Sequence, residues 1–326
     1  MNAVDHNNVV IFDDRGIPSI MCRFVRPKDT EEVPAVFKIG DKVADAIYIS
    51  KYPNIVIDGR AYSMPMADPT VNITFDEAVQ ACRCKGLGWH LMTAVEYEYL
   101  LNQSREKGTM PHGNTDWGKD YYHNEEQGKV SNLGRTYTGT GPVTWNHDHT
   151  PYGVSDLNGN VWEWLAGLRI KDGVIEFIPG NKAASPYCDL SKDSTEWQQA
   201  ETSKGPVRAN VECGEITITD AVAADDYEPN YDGVRIEELE VKLSEIPQVL
   251  KDLGIIPDKR AEEEGKSYVY FDATEGEYLP FRGSAFSTAS NSGPSALSLG
   301  GPRSYSNDGI GFRSAFYEVN GKLITE

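Results

Sequence analysis

Apolar residues recur along this chain in two periods, and the changes of period fall at turn-forming residues. Ile47-Tyr48-Ile49 and Ile55-Val56-Ile57 read as strands, separated by Pro53-Asn54 and closed by Asp58-Gly59. Pro65 and Pro69 bracket the loop that follows. Helical spacing then takes over. Thr74 with Glu77 forms a capping box, and Phe75, Ala78, Val79 and Cys82 make a buried stripe that ends before Gly86. Thr93 with Glu96 forms a second box; Val95, Tyr99 and Leu100 turn inward, and Gly108 and Pro111 lie past the helix end. Both helices read as scaffold packed on a sheet. Upstream, Val9 to Phe12 and Ile17 to Phe24 flank Asp13-Asp14-Arg15-Gly16, which predicts a hairpin. Residues 1–42 then form either an N-terminal extension that attaches the domain to something else or an extra edge of the same domain.

The pattern fails in three places. Residues 112–151 follow neither period and are dense in Gly, Asn, Asp, Tyr and Trp, so they read as a long ordered loop. Residues 165–280 read as an irregular acidic insertion, with thirteen acids and five bases between Asp225 and Glu264. Within it, Ser244 to Gly254 fits a short helix, while Lys266 to Phe271 and Tyr278 to Phe281 return to strand-like sequence. Its function is not readable. Gly283 to Gly311 holds eight Ser and six Gly in twenty-nine residues, with only Arg303 and Asp308 charged. A flexible linker has this composition, but Phe281-Arg282 and Ile310-Gly311-Phe312-Arg313 are strand signals at both ends. The segment therefore reads as small and polar side chains displayed on a frame, a composition suited to recognition.

Candidate chemistry concentrates in Gly153-Val154-Ser155-Asp156-Leu157-Asn158-Gly159-Asn160-Val161-Trp162-Glu163-Trp164. Asn158-Gly159 favours a turn with positive φ. If the segment then runs extended, Trp162 and Trp164 share one face and Glu163 takes the other, where it converges with Asp156 and turn carbonyls on a hard cation such as calcium. The alternative is a metal-free turn whose acids and amides are satisfied by backbone donors. His147-Asp148-His149 and Cys82-Arg83-Cys84 are weaker metal candidates: two His one residue apart point to opposite sides of a strand, and no second close pair or well-spaced His follows the cysteines.

Charge and composition narrow the function. A net charge of -19 over 326 residues disfavours nucleic acid and anionic membranes as partners. The first residues, Met1 to His6, lack a basic flank and an apolar stretch, and no run is long enough for a spanning helix, so neither export by a signal peptide nor membrane insertion is expected. That reading places synthesis in a cytoplasm. Five Cys, at 22, 82, 84, 188 and 213, do not make a disulfide framework.

Gly153 to Trp164 resembles the signature of the formylglycine-generating-enzyme branch of the C-type lectin fold, and Phe281 to Phe286 with Gly311-Phe312-Arg313 resembles its terminal strand pair. The resemblance implies an α+β fold, a C-type lectin-like domain over 43–326, with 165–280 as a large insertion before the C-terminal strands. In metal-binding members, the positions matching Asp156 and Glu163 supply side-chain oxygens and those matching Gly159 and Val161 supply carbonyls, which implies structural Ca2+; Asp156 stands where Asn is common. The oxidising members use a cysteine pair in the C-terminal core, and this chain has no Cys after Cys213, so no redox cofactor is expected. Nor do His90, His112, His123, His147 and His149 present the compact set of the iron-dependent sulfoxide synthases.

Residues 281–317 look instead like the variable region of diversity-generating-retroelement target proteins, in which adenine-directed mutagenesis varies selected surface positions. Tyr48-Ile49-Ser50-Lys51-Tyr52 and Gly88-Trp89-His90-Leu91-Met92-Thr93 also look like this branch. The varied positions expected here are Ala285, Ser287, Ser290, Asn291, Pro294, Ser295, Ser298, Gly300, Tyr305 and Asp308. The resemblance implies a non-enzymatic display protein whose ligand is a protein or glycan on a target surface, with a phage tail or a cell surface as its assembly partner. Two alternatives stay open: a non-diversified lectin-fold binding module with a fixed Ser/Gly loop, and a divergent metal-dependent oxidoreductase of the formylglycine-generating or sulfoxide synthase type.

Overall fold

The computed structural model describes residues 7–224 and 226–323; Met1 to His6, where the absence of a signal was read, lie outside the described residues. Strands β1 (Asn7–Phe12) and β2 (Pro18–Val25) form the expected hairpin, and β2 pairs antiparallel with β3 (Ala46–Ser50). The hairpin is thus an edge of a six-stranded sheet, and no structural break accompanies the boundary drawn at residue 42. Helices α1 (Phe75–Arg83) and α2 (Ala94–Lys107) both begin in the capping boxes expected at Thr74 and Thr93. Gly108, at φ +66, closes α2 in the left-handed conformation that a Cβ disfavours.

The acidic insertion is not irregular, and this corrects the sequence reading. It supplies most of a second, twelve-stranded sheet. After β4 (Trp162–Trp164), the chain forms β5 (Leu168–Lys171), β6 (Val174–Phe177), β7 (Arg208–Glu212), β8 (Glu215–Thr219), β9 (Tyr231–Arg235) and β10 (Tyr268–Asp272). The C-terminal segment adds β11 (Glu277–Arg282), β12 (Leu297–Pro302) and β13 (Ile310–Phe312), before β14 (Ser314–Val319) returns to pair with β3. Along the second sheet the order is β9-β10-β12-β11-β5-β6-β7-β8. Its inner face buries Val207, Ala209 and Val211 with Ile216, Ile218, Val269, Phe271, Leu297 and Leu299 in the same core as α2. Acids crowd the segments that leave this core: Glu237 and Glu238 are exposed in a 3-10 turn and Glu240 on an edge strand. Their charge hid a period-2 burial pattern, as in Glu215–Thr219.

Candidate functional site

Gly283 to Gly311 is held on both sides. Gly283 N–H donates to Ala296 O at 3.1 Å, and Gly159 N–H donates to Gly283 O. The buried Tyr97 hydroxyl of α2 lies 2.7 Å from Leu157 O and 2.8 Å from Pro294 O, tying the turn before β4 to the loop before β12. On β12, Leu297 and Leu299 face the core and Ser298 and Gly300 face the opposite side. Ser298 is in register with Tyr270 on β10 and with Phe281 on β11. One row across three strands is therefore aromatic, hydroxyl, aromatic.

This row floors a pocket of about 510 Å³. Five expected positions converge on it: Ser287, Asn291, Ser298, Gly300 and Tyr305. The rest do not. Ala285 and Ser295 do not line it; Ser298 is as buried as they are but faces the pocket, whereas Ser295 Oγ bonds the buried Glu264 carboxylate and Ala285 packs inside the frame. Pro294 is buried too, and its carbonyl is the one Tyr97 engages. Ser290 and Asp308 lie outside the pocket; their carbonyls accept from Tyr122 OH at 2.8 Å and from Arg135 Nη1 at 3.0 Å.

The pocket's other wall comes from the insertion. Tyr231 of β9 and Tyr270 of β10 stack at 6.4 Å between centroids, and Phe281 and Tyr305 stack at 6.3 Å. Trp162 meets Phe281 edge-on at 5.4 Å. Asn307 Nδ2 donates to Tyr305 OH at 3.1 Å, and Asn291 Nδ2 reaches Tyr270 OH at 3.5 Å. Burial raises the Tyr231 and Tyr270 pKa values, so both phenols stay neutral donors at physiological pH. Gly300 is what seats the Tyr231 ring: a Cβ there would lie 2.4 Å from Tyr231 Cε2. Sequence reasoning missed Tyr231, whose strand went unrecognised within the acidic insertion, and Tyr270, whose stretch Lys266 to Phe271 was read as strand-like but given no role in a site.

The turn at Asp156 to Trp164 satisfies its acids from within the protein, and its donor set does not fit the expected calcium. Both Glu163 oxygens accept from the guanidinium of Arg313, from Nε at 2.6 Å and from Nη2 at 2.5 Å. The same guanidinium donates to Ser50 O at 2.9 Å and Ser155 O at 3.0 Å, so it clamps β3, the turn and β4 together. Burial opposes the Arg313 charge, and Glu163 more than offsets it, leaving its pKa above the ordinary arginine value. Gly159 O accepts from Val161 N–H at 2.8 Å, and Asp156 Oδ2 accepts from Gly139 N–H at 3.3 Å. A calcium ion on Glu163 would sit beside a buried guanidinium, which repels it and already occupies both carboxylate oxygens. Val161 is core, 1% exposed.

Three of the histidines do come together. His112 and His123 stack at 3.7 Å and His149 meets His112 at 5.8 Å, in a second cavity of about 160 Å³. His112 Nδ1 faces both oxygens of Glu126 at 3.1 Å, and His149 Nε2 lies 3.0 Å from Met110 O. Among the described residues no group of three or more His, Cys, Asp and Glu is arranged to hold a metal ion. Cys22, Cys82 and Cys188 are buried free thiols whose pKa values burial pushes up, away from thiolate reactivity. No helix among the described residues is long and apolar enough to cross a membrane.

Residues 51–207 match the family model of the sulfatase-modifying factor enzyme 1-like domain. The matched segment is just under half of the chain. The fold is α+β, the C-type lectin fold of the formylglycine-generating-enzyme type. The matched segment encloses α1, α2 and the Glu163 turn, and ends before Tyr231, Tyr270 and the C-terminal segment. The formylglycine-generating enzyme of Mus musculus is 36% identical over 105 residues, which cover 30% of this chain and 27% of that protein. The match thus spans about a quarter of that relative's length. Among solved structures, PvdO from Pseudomonas aeruginosa is 15% identical, with a TM-score of 0.38, covering 96% of this chain and 98% of that one. The P3c variant of Major Tropism Determinant is 13% identical, with a TM-score of 0.33, covering 96% of this chain and 61% of that one.

Proposed function

We propose that this protein displays a ligand-binding pocket whose residues on the C-terminal segment are diversified by adenine-directed mutagenesis, and that it serves as a receptor-binding component of a phage tail. The observation that carries this reading is the convergence of Ser287, Asn291, Ser298, Gly300 and Tyr305 on one pocket. Display works without turnover. The Glu163–Arg313 pair and the Tyr97 hydroxyl hold the frame, so side chains facing the pocket vary without disturbing the core. Exposed substitutions cost within about 0.5 kcal/mol, whereas stranding a buried polar group costs roughly 1–3 kcal/mol. Formylglycine chemistry is left aside because the resemblance places it on a C-terminal cysteine pair, and the last cysteine here is Cys213.

The test is deep sequencing of the coding DNA for residues 280–317 across a natural population, with a search for a near-copy close by. Variation confined to adenine-templated codons, falling on the five pocket positions and sparing Ala285 and Ser295, is the expected result. A fixed sequence without a near-copy overturns the diversification and leaves a dedicated binding module.

A further inference from the structure

Resting on the reading of this pocket as a ligand site, we propose that it takes an uncharged sugar ring, bound by aromatic stacking and side-chain hydrogen bonds without a metal ion. The lining has two parts. Trp162, Tyr231, Tyr270, Phe281 and Tyr305 supply five aromatic rings. Ser287, Thr288, Asn291, Ser298 and Asn307 supply hydroxyls and amides that both donate and accept. A sugar ring has the matching construction: a face of C–H groups that packs on a π surface, and a rim of hydroxyls that pair with amides and hydroxyls.

Other ligand classes fit less well. No Asp, Glu, Lys, Arg or His is among the residues lining the pocket. An anion would find no base there and would approach against a net charge of -19. A cation is welcome over aromatic faces but would find no carboxylate. A purely apolar ligand would strip water from Asn291, Asn307 and the serines and leave them unpaired, a cost of the order of a hydrogen bond each. At about 510 Å³ the pocket has the size of a small-molecule site. Tyr231 and Tyr305, 49% and 41% exposed, stand at its mouth with their rings open to an incoming ligand. The aromatic side chain of a peptide is the competing occupant.

Saturation-transfer NMR on the full chain tests the assignment, with the methyl glycosides of glucose, galactose, mannose and N-acetylglucosamine as probes, in the presence of EDTA. At least one glycoside should receive transfer, with the protons of one ring face strongest. Tyr231→Ala and Asn291→Ala should each weaken binding about tenfold or more, while Tyr305→Phe, which keeps the ring, weakens it less. Thermal melts of all three variants should match the parent, since the changed side chains are half-buried or exposed. Absence of transfer from every glycoside overturns the sugar assignment, as does transfer that survives Tyr231→Ala or disappears in EDTA. Selection of peptides that bind the pocket while no glycoside does would replace the sugar by a protein ligand. That result leaves the display reading intact, because the sequencing test decides diversification independently.

Discussion

Replacing Asp156 by Asn should stabilise the protein at neutral pH and in acid cost it about 1 kcal/mol or more. The Asp156 carboxyl is 2% exposed, and burial raises its pKa from 3.8 to about 6 against the pull of the Gly139 N–H and Arg313. A folded-state pKa above the unfolded one means that the folded protein binds the proton more tightly. That contribution is fully present below about pH 4 and is lost as the pH rises through about 6. A rise from 3.8 to about 6 corresponds to about 3 kcal/mol, forgone by the wild type at neutral pH. Asn does not ionise, so it does not forgo it. Its Nδ2 needs an acceptor, and an unmade bond offsets about 1 kcal/mol or more, leaving a net gain of about 1–2 kcal/mol. The backbone raises no objection, because Asp156 sits at φ +59, which Asn tolerates well. Urea denaturation of both proteins at about pH 4.5 and about pH 7.5 should show a difference that grows with pH. A difference independent of pH, or an Asn variant less stable at the higher pH, refutes the argument.

Glu163→Gln leaves Arg313 buried without its counter-charge and should cost about 3–5 kcal/mol, while chelator leaves the wild-type melting temperature where it was; a calcium-dependent rise in melting temperature would contradict the donor-set argument. Substitutions at Ser287, Asn291 and Tyr305 should shift stability by no more than about 0.5 kcal/mol, whereas Ser295→Leu breaks the bond to Glu264 in a packed site and should cost about 2 kcal/mol or more, measured by thermal melts of the set. Lys85, 1% exposed and seated 3.2 Å from the Trp89 ring centroid, has its pKa lowered to about 7 by burial. The folded state then binds fewer protons than the unfolded one between about pH 7 and about pH 10, so stability gains from this group as pH rises through that window; Lys85→Met should abolish the slope in paired denaturation curves.

How much of this was legible in the sequence depends on whether a residue's partner lies nearby in the chain. The helices were, because Thr74–Glu77 and Thr93–Glu96 are local pairs three residues apart. Arg313 was not, because its partner Glu163 is 150 residues away and either one alone reads as a metal ligand or a surface charge. The strands of the insertion were obscured for a different reason: acids on their turns and edges set the local composition, and that composition masks the alternation of Ile216 and Ile218 with polar neighbours.

The pocket joins both difficulties and explains why its chemistry is split as it is. Its small, polar side comes from one continuous stretch, which sequence can propose from a run of Ser, Gly and Asn. Its aromatic side comes from Tyr231 and Tyr270, placed beside that stretch only because β10 runs parallel to β12. A parallel pair needs a long connection, so the contact has no local signature. Gly300 is where the two sides meet. Any side chain there pushes on the Tyr231 ring. Tyr231 is half exposed at the pocket mouth and can swing outward at small cost to the fold. Gly300→Ser should therefore leave the melting temperature nearly unchanged while altering which glycosides bind. The insertion then acts as an adjustable wall, whose position is set by the residue across from it, and unchanged ligand preference in that variant would show the wall to be independent of the C-terminal segment.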